Sequence, residues 1–316
     1  MLDKSKKIKV IIIINIIIMI IAFIGLEIYS YNFLKDVYKD SLETHNAFLK
    51  KEGINASPVV ISYRLVKGFD YNEFEQNLRP TVEYKSKKRP LIFVICSYMD
   101  TQGLSYEQLL YSKVAKLSQR TAYDRSRGGE GVQLILHQLR RPDFYQKVPD
   151  AEYIIYTFLY DHFYRLNRYQ MGPYSNYAGL RYKESNGKLV EAKPFLLPLY
   201  SSFSVQMVQS HIQKQKAENN DQCFDLFYKI LVESKDTAKA HYKDLKFVIM
   251  LYTDPTYKSL TKNQIQKLKD AGFIVIDSEQ LVGHELTSDK YRLSDFHPNE
   301  AAWDEVAPKL VKALNL

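Results

Sequence analysis

Cysteine is all but missing: Cys96 and Cys223 are the two in 316 residues, too few and too far apart for a disulfide framework or a Cys-ligated metal site. Cys96 closes an apolar run and reads as a small buried filler, so no bridge is expected. Glycine and proline are sparse, at 12 and 11 residues, which excludes a fibrous or low-complexity chain and leaves a packed globular one. No Lys/Arg block after the N-terminus is dense enough to read as a phosphate-tracking stripe. The formal charge is +8, of which Lys4, Lys6, Lys7 and Lys9 against Asp3 and Glu27 give +2 within the first thirty residues. The rest of the excess is spread thinly and the many tyrosines are scattered, so no nucleic acid partner is expected.

One long apolar run stands out. From Val10 to Leu26 the chain is almost wholly Ile, Val, Met, Ala and Phe, broken by Asn15 and Gly25 and extended by Ile28 and Tyr29. That approaches the length of a bilayer-spanning helix, about 20 residues. The basic flank precedes it, so the positive-inside bias puts residues 1–9 in the cytoplasm and the chain beyond about residue 30 on the other side. A cleaved signal peptide would need a small-x-small site, whereas the sequence runs Gly25-Leu26-Glu27-Ile28-Tyr29-Ser30. An uncleaved single-pass anchor over 10–30 is therefore expected, with an extracytoplasmic domain. Residues 31–89 are polar, Tyr- and Lys-rich, and end in Lys85-Ser86-Lys87-Lys88-Arg89; they read as a stalk and an N-terminal extension packed on the main domain.

From Pro90 short β-rich runs alternate with amphipathic stretches. Strands are expected at Leu91–Cys96, Thr121–Tyr123, Tyr153–Leu159, Phe247–Leu251 and Phe273–Ile276. A helix near Ser105–Leu117 carries Leu109, Leu110, Val114 and Leu117; Gly128-Gly129-Glu130-Gly131 opens another with Val132, Leu136 and Leu139 on one face. The last helix follows Pro298 and carries Ala302, Val306, Leu310 and Leu314. This alternation implies an α/β fold over 90–316: a three-layer αβα sandwich on a flavodoxin-like parallel five-stranded sheet, preceded by one transmembrane helix. An insertion at about 165–244 interrupts it. Asn186-Gly187 marks a hairpin turn there, followed by helices near Phe203–Lys216 and Gln222–Tyr242. Such insertions usually sit at the C-terminal edge of the strands, where ligands bind.

The sharpest chemical signal is Ser294-Asp295-Phe296-His297-Pro298-Asn299. An Asp two residues before a His can fix the imidazole tautomer and stabilise the imidazolium formed as it takes a proton from a nucleophile. The plainer reading is a turn in which Asn299 or Asp295 caps the helix. At the other end of the domain Ser97 follows the first strand, where a hydroxyl would project from the sheet edge; a plain turn cap is again the alternative. Together they give the chain order Ser, Asp, His of a nucleophile, orienter and base.

On these residues the chain resembles the SGNH hydrolases, also called GDSL-like lipases and esterases, over Pro90 to Leu316. Cys96-Ser97-Tyr98-Met99-Asp100-Thr101-Gln102-Gly103-Leu104 resembles a Cys-Ser-aromatic variant of the nucleophile block. Asp124-Arg125-Ser126-Arg127-Gly128-Gly129 matches the second block, and Asp295 and His297 match the last. The third block, normally ending Gly-x-Asn-Asp, is here Phe158-Leu159-Tyr160-Asp161-His162-Phe163-Tyr164-Arg165. Tyr160 takes the place of the Asn that donates to the oxyanion, so that donor is lost, moved to His162 or Arg165, or supplied otherwise. Asp161 and His162 are candidate site residues, with a helix cap and a satisfied polar pair as the structural alternative.

The resemblance implies catalysis by Ser97 with His297 as general base and Asp295 orienting it. Backbone N–H groups of Ser97 and Gly129 would form the oxyanion hole, with no metal and no cofactor. The implied activity is a serine esterase that hydrolyses an ester or transfers its acyl group; the expected location facing the envelope suggests an O-acylated cell-surface polysaccharide as substrate, and the expected partners are an acylated glycan or other small ester and the membrane. The competing expectation is a catalytically inactive SGNH-like module that binds glycan or organises an envelope assembly. Neither reading fixes an oligomeric state.

Overall fold

The computed structural model describes residues 4–51, 75, 81–94, 104–127, 130–166, 180–192, 202–208, 220–253, 259–293 and 297–316. The chain opens with α1 (Lys4–Lys51), one helix of 48 residues that continues well past the apolar run into the segment read from sequence as stalk. Its stretch Ile11–Asp36 contains an 18-residue window with a mean hydropathy of 2.9 and is long and apolar enough to cross a membrane. Ile11 to Ile18 and Ile20 to Ile24 present their large side chains outward, which is stable only against an apolar solvent. Near the end of this stretch the Glu27 carboxylate accepts from the Ser202 hydroxyl at 2.5 Å, the Phe203 N–H at 2.8 Å and the Ser204 N–H at 3.2 Å. The Ser204 hydroxyl donates to it as well. Glu27 thereby satisfies the open N–H groups of the short helix at 203–208, while Phe203 packs on Leu34 and stands edge-on to Tyr31 at 5.1 Å.

The domain proper contains β1 (Leu91–Val94), α2 (Leu110–Ser118), β2 (Ala122–Asp124), α3 (Val132–Leu139), α4 (Pro142–Lys147), β3 (Tyr153–Phe158) and α5 (Asp161–Arg165). A hairpin of β4 (Tyr182–Ser185) and β5 (Lys188–Glu191) follows, then α6 (Asn220–Lys239), β6 (Lys246–Leu251), α7 (Lys262–Asp270), β7 (Ile274–Asp277), α8 (Ser278–Val282) and α9 (Glu300–Leu314). The main sheet has the order β2-β1-β3-β6-β7 with every pair parallel. This is the expected five-stranded flavodoxin-like arrangement. Val82 adds an antiparallel bridge to Ala122 at the β2 edge.

Alternate residues of a strand face opposite sides, and both sides are apolar here. Leu91, Phe93, Ile155, Val248 and Met250 pack against α2 and α9; Ile92, Val94, Ile154, Tyr156, Phe247 and Ile249 pack against α3 and α6. Such coverage on both faces is what an all-parallel sheet requires. Leu117, expected on the apolar stripe of its helix, is 52% exposed. The buried face of α2 spans Leu110, Tyr111, Val114, Ala115 and Ser118, and at about 100° per residue Leu117 falls at its margin.

The Asn186-Gly187 turn closes the hairpin as expected. Asn186 and Gly187 have φ of 50° and 73°, the left-handed pair that matches strand twist and that Asn and Gly reach at least cost. Of the expected helix near 203–216, 203–208 is described, while 209–219 and Cys96 lie outside the described residues. Helix α7 was not read from sequence; a reciprocal cap starts it, with the Thr261 hydroxyl accepting from Gln264 N–H and Gln264 Oε1 accepting from Thr261 N–H.

Candidate functional site

The strands run parallel, so their C-terminal ends share one rim, and the loops leaving that rim build the site. Helix α9 returns antiparallel to them: at its far end the Leu314 carbonyl accepts from the Tyr153 hydroxyl, at the start of β3, at 2.9 Å. Its beginning therefore stands at the C-terminal rim. Two contacts fix this. Trp303, fully buried, lies 5.7 Å from the ring of Tyr252, just past β6, and Arg292 donates through Nη2 to the Thr253 carbonyl at 3.1 Å.

His297 occupies the turn into α9. The Leu293 N–H donates to its carbonyl at 2.8 Å, and Arg292 and Pro298 form an antiparallel bridge across the turn. Asn299 is the helix cap, one of the two caps expected: its Oδ1 accepts from Ala302 N–H at 3.2 Å, while Nδ2 donates to the Lys290 and Arg292 carbonyls at 2.9 and 3.3 Å. The turn is also bound to the β1–α2 side, where Gln108 Nε2 and Lys113 Nζ donate to the Glu300 carboxylate at 2.7 and 3.2 Å. β1 ends on the same rim at Val94, three positions before Ser97. Ser97, Gly129 and Asp295 lie outside the described residues.

The second loop leaves β2 at Asp124. Arg125 N–H donates to Phe93 carbonyl at 2.7 Å, and Ser126 N–H to Asp124 Oδ1 at 3.0 Å. Arg125 and Gln138 then clasp each other, Nε to Oε1 at 3.0 Å and Nε2 to the Arg125 carbonyl at 2.9 Å. Arg125 is also ion-paired with Glu75. At the loop's other end Arg165 Nη1 donates to the Glu130 carbonyl at 2.7 Å. Gly131 is closely surrounded: a Cβ there would stand 2.9 Å from Gln133 Oε1, which would have to turn aside, and 3.6 Å from His162 Cβ, an ordinary contact.

Behind this loop lies a buried polar group of side chains. The Glu130 carboxyl is fully enclosed, and burial pushes its pKa up to about 7 against the pull of Arg127, the Leu180 N–H and Arg165. His162 is fully buried, its Nδ1 hydrogen-bonded to the Tyr156 hydroxyl and its ring between Tyr156 and Phe158. Burial, helped by the Arg165 charge and opposed by Asp161, holds its pKa well below the usual imidazole range. Asp161 and Arg165 pair one helical turn apart, with Nε to Oδ2 at 2.6 Å. Tyr160 is buried with its ring edge-on to Phe163 at 5.1 Å. The third-block residues are thus wall and bracket: His162 is paired inside the α3–α6 layer, and Arg165 holds a carbonyl. Sequence reasoning weighed Arg165 only as a substitute donor; the Asp161/Arg165 spacing of four was the signal for its bracing role.

No family model matches the sequence, and no curated protein is similar to it. Among solved structures the fold is similar to that of a family two carbohydrate esterase from Clostridium thermocellum in complex with cellohexaose, at 8% identity, over 72% of this chain and 64% of that one, with a TM-score of 0.42. It is similar to an acetyl xylan esterase from Butyrivibrio proteoclasticus at 10% identity, over 74% and 64% of the chains, with a TM-score of 0.41. A member of the lipolytic protein G-D-S-L family from Veillonella parvula gives 11% identity, 72% and 99% coverage, and a TM-score of 0.43. The chain spans 64% of the length of the first two. Similarity this remote carries no argument about chemistry, which rests on the chain's own residues.

Proposed function

We propose that the chain is an SGNH-type serine esterase, anchored by α1 with its domain outside the cytoplasm, that removes or transfers an ester-linked acyl group on a cell-surface glycan. Ser97 Oγ attacks the ester carbonyl carbon while His297, oriented by Asp295, takes the hydroxyl proton. The carbonyl electron pair moves onto its oxygen, where the N–H groups of Ser97 and Gly129 stabilise the charge. Collapse expels the alcohol, which receives the proton from His297, and leaves acyl-Ser97 for water or a sugar hydroxyl.

The observation that carries this reading is the position of His297. It stands in a turn bonded to the β6 exit and to the β1–α2 side, on the rim where β1 ends three residues before Ser97. A second reading, an inactive glycan-binding or envelope-assembly module, is favoured by Tyr160, whose ring is committed to the core where the family pattern has a donor Asn.

One experiment separates them. The full chain in detergent micelles is incubated with a fluorophosphonate probe and with p-nitrophenyl acetate. Labelling and turnover that disappear in Ser97→Ala and His297→Ala are expected; activity indifferent to both substitutions, or no labelling of the unaltered protein, discards the esterase reading.

A further inference from the structure

The turn that carries His297 leans on residues 290–293. Leu293 N–H donates to the His297 carbonyl at 2.8 Å, Asn299 N–H to the Tyr291 carbonyl at 3.0 Å, and Asn299 Nδ2 to the Lys290 and Arg292 carbonyls. Whatever fixes 290–293 therefore bears on His297. Arg292 ties this segment inward, to the Leu286 and Thr253 carbonyls at 3.3 and 3.1 Å. Its outer fastening is a cluster of ionisable side chains around Glu305 of α9.

The Glu305 carboxylate is shared. Oε2 lies 2.6 Å from His284 Nε2, and Oε1 accepts from the Tyr291 hydroxyl at 2.6 Å. Lys290 Nζ donates to that hydroxyl at 2.8 Å and stands 3.6 Å from Oε1. The imidazole stacks on the buried Tyr291 ring, with centroids 5.1 Å apart and planes 22° from parallel. Its second nitrogen, Nδ1, lies 3.1 Å from the Glu285 carbonyl. A carbonyl and an ionised carboxylate only accept, so His284 satisfies both acceptors at once only with a proton on each nitrogen. The neutral ring must surrender one of the two bonds.

The charges around His284 favour the same state. The Glu285 carbonyl and then Glu305 hold its pKa above the usual imidazole value, against desolvation and the Lys309 charge, while the Lys309 ammonium is engaged with the Val282 carbonyl at 2.6 Å. Hydrogen bonds from Tyr291 and His284 bring the Glu305 carboxyl down to about 2. Both partners are thus charged from acid to neutral pH, and the first of them to change state as pH rises is His284.

We propose that His284, Tyr291 and Glu305 form a proton-operated latch on the turn that carries His297, closed while the imidazole holds two protons and loosened when it gives one up. The latch goes beyond the esterase reading and does not need it, since the fastening acts on the backbone around His297 whatever that residue does. A group held protonated by the fold contributes fully in acid and loses its contribution as pH rises through its titration. The turn is therefore firmest at acid to neutral pH and loosens on the alkaline side. If His297 is a general base, its own titration starves the reaction of base in acid, and the latch adds a separate decline in alkali.

The test follows amide hydrogen exchange in the full chain in detergent micelles, from pH 5 to 9, on peptides that cover 284–299, with rates corrected for the intrinsic effect of pH. Protection of the Leu293 and Asn299 amides in the wild type should fall by about threefold as His284 deprotonates, the scale of one partly exposed ion pair. His284→Gln and Glu305→Gln should both abolish this step and sit near the alkaline wild-type level at every pH. A wild type without the step overturns the proposal, as does a step that survives in either variant. His284 and Glu305 are 39% and 31% exposed, so both variants are expected to fold. In a protein that labels with fluorophosphonate at Ser97, the labelling rate should show the same alkaline decline of about threefold in the wild type and none in His284→Gln. Absence of labelling counts against the esterase reading alone, and the exchange step still decides the latch.

Discussion

The two rims of the sheet are both tied by charged side chains, and they are tied differently. At the N-terminal rim Arg120, Glu152 and Lys246 stand just ahead of or at the starts of β2, β3 and β6: Arg120 Nη1 meets Glu152 Oε2 at 2.5 Å and Lys246 Nζ meets Oε1 at 3.2 Å. Burial works against the Glu152 charge, but hydrogen bonds from Arg120 and Lys246 hold its pKa below the usual carboxylate value. Every charge there has an opposite within reach, and the network sews strand to strand. At the C-terminal rim the Glu130 carboxyl is fully enclosed and its pKa is displaced upward, while Arg165 bonds to a loop carbonyl. The first arrangement lowers the energy of the fold. The second holds groups in states that water would not favour, the arrangement the proposed site would use.

This contrast predicts that substitutions at the N-terminal rim cost stability without touching chemistry. Arg120→Ala leaves Glu152 with half its compensation and should lose about 3 kcal/mol of unfolding free energy, read as a lower urea midpoint, with kcat unchanged. A drop in kcat at full occupancy of the folded state would break the comparison.

Glu130 supplies the next largest effect, with the opposite sign. Its pKa in the native state, about 7, lies above the ordinary 4.5, so the folded chain keeps a proton that the unfolded chain has released. Stability should then fall as pH rises through that window, and the penalty is complete above it. Glu130→Gln cannot ionise and should lose this slope, gaining roughly 3 kcal/mol on wild type between about pH 4 and pH 8.5. Urea midpoints measured across that range would expose the difference; parallel curves for the two proteins would remove Glu130 from the argument.

Asn299 sharpens the comparison further. Its loss should cost about 1 kcal/mol as a helix cap. Because its amide also binds the carbonyls of Lys290 and Arg292 around His297, Asn299→Ala should also slow fluorophosphonate labelling. A stability loss alone would mean that the turn keeps its shape without that amide.

The sheet was legible because its three inner strands, β1, β3 and β6, are buried on both faces and read as short apolar runs; the hairpin was legible because Asn186-Gly187 admits one economical turn. Helix α7 was not, since Lys262, Asn263, Gln266, Lys267, Lys269 and Asp270 leave only Ile265 and Leu268 to mark an apolar side. The continuation of α1 was hidden for a related reason: after residue 30 the chain is polar and Tyr- and Lys-rich, with no apolar stripe to mark a helix. At the site, the Asp-x-His turn announced His297 from local spacing. The Arg165 bracket could be seen only in half. Asp161 lies four residues away, but the carbonyl it serves lies 35 positions upstream, and a backbone acceptor has no signature in the letters.

Glu27 gives the N-terminal helix a second meaning. Its carboxylate is gripped by residues 175 to 177 positions later in the chain, so α1 is no slack leash. Turning the helix about its own axis would drag the 202–208 segment along, as a shaft turns the gear keyed to it. The insertion that follows the third strand of the sheet is thereby coupled to any torque on the N-terminal helix.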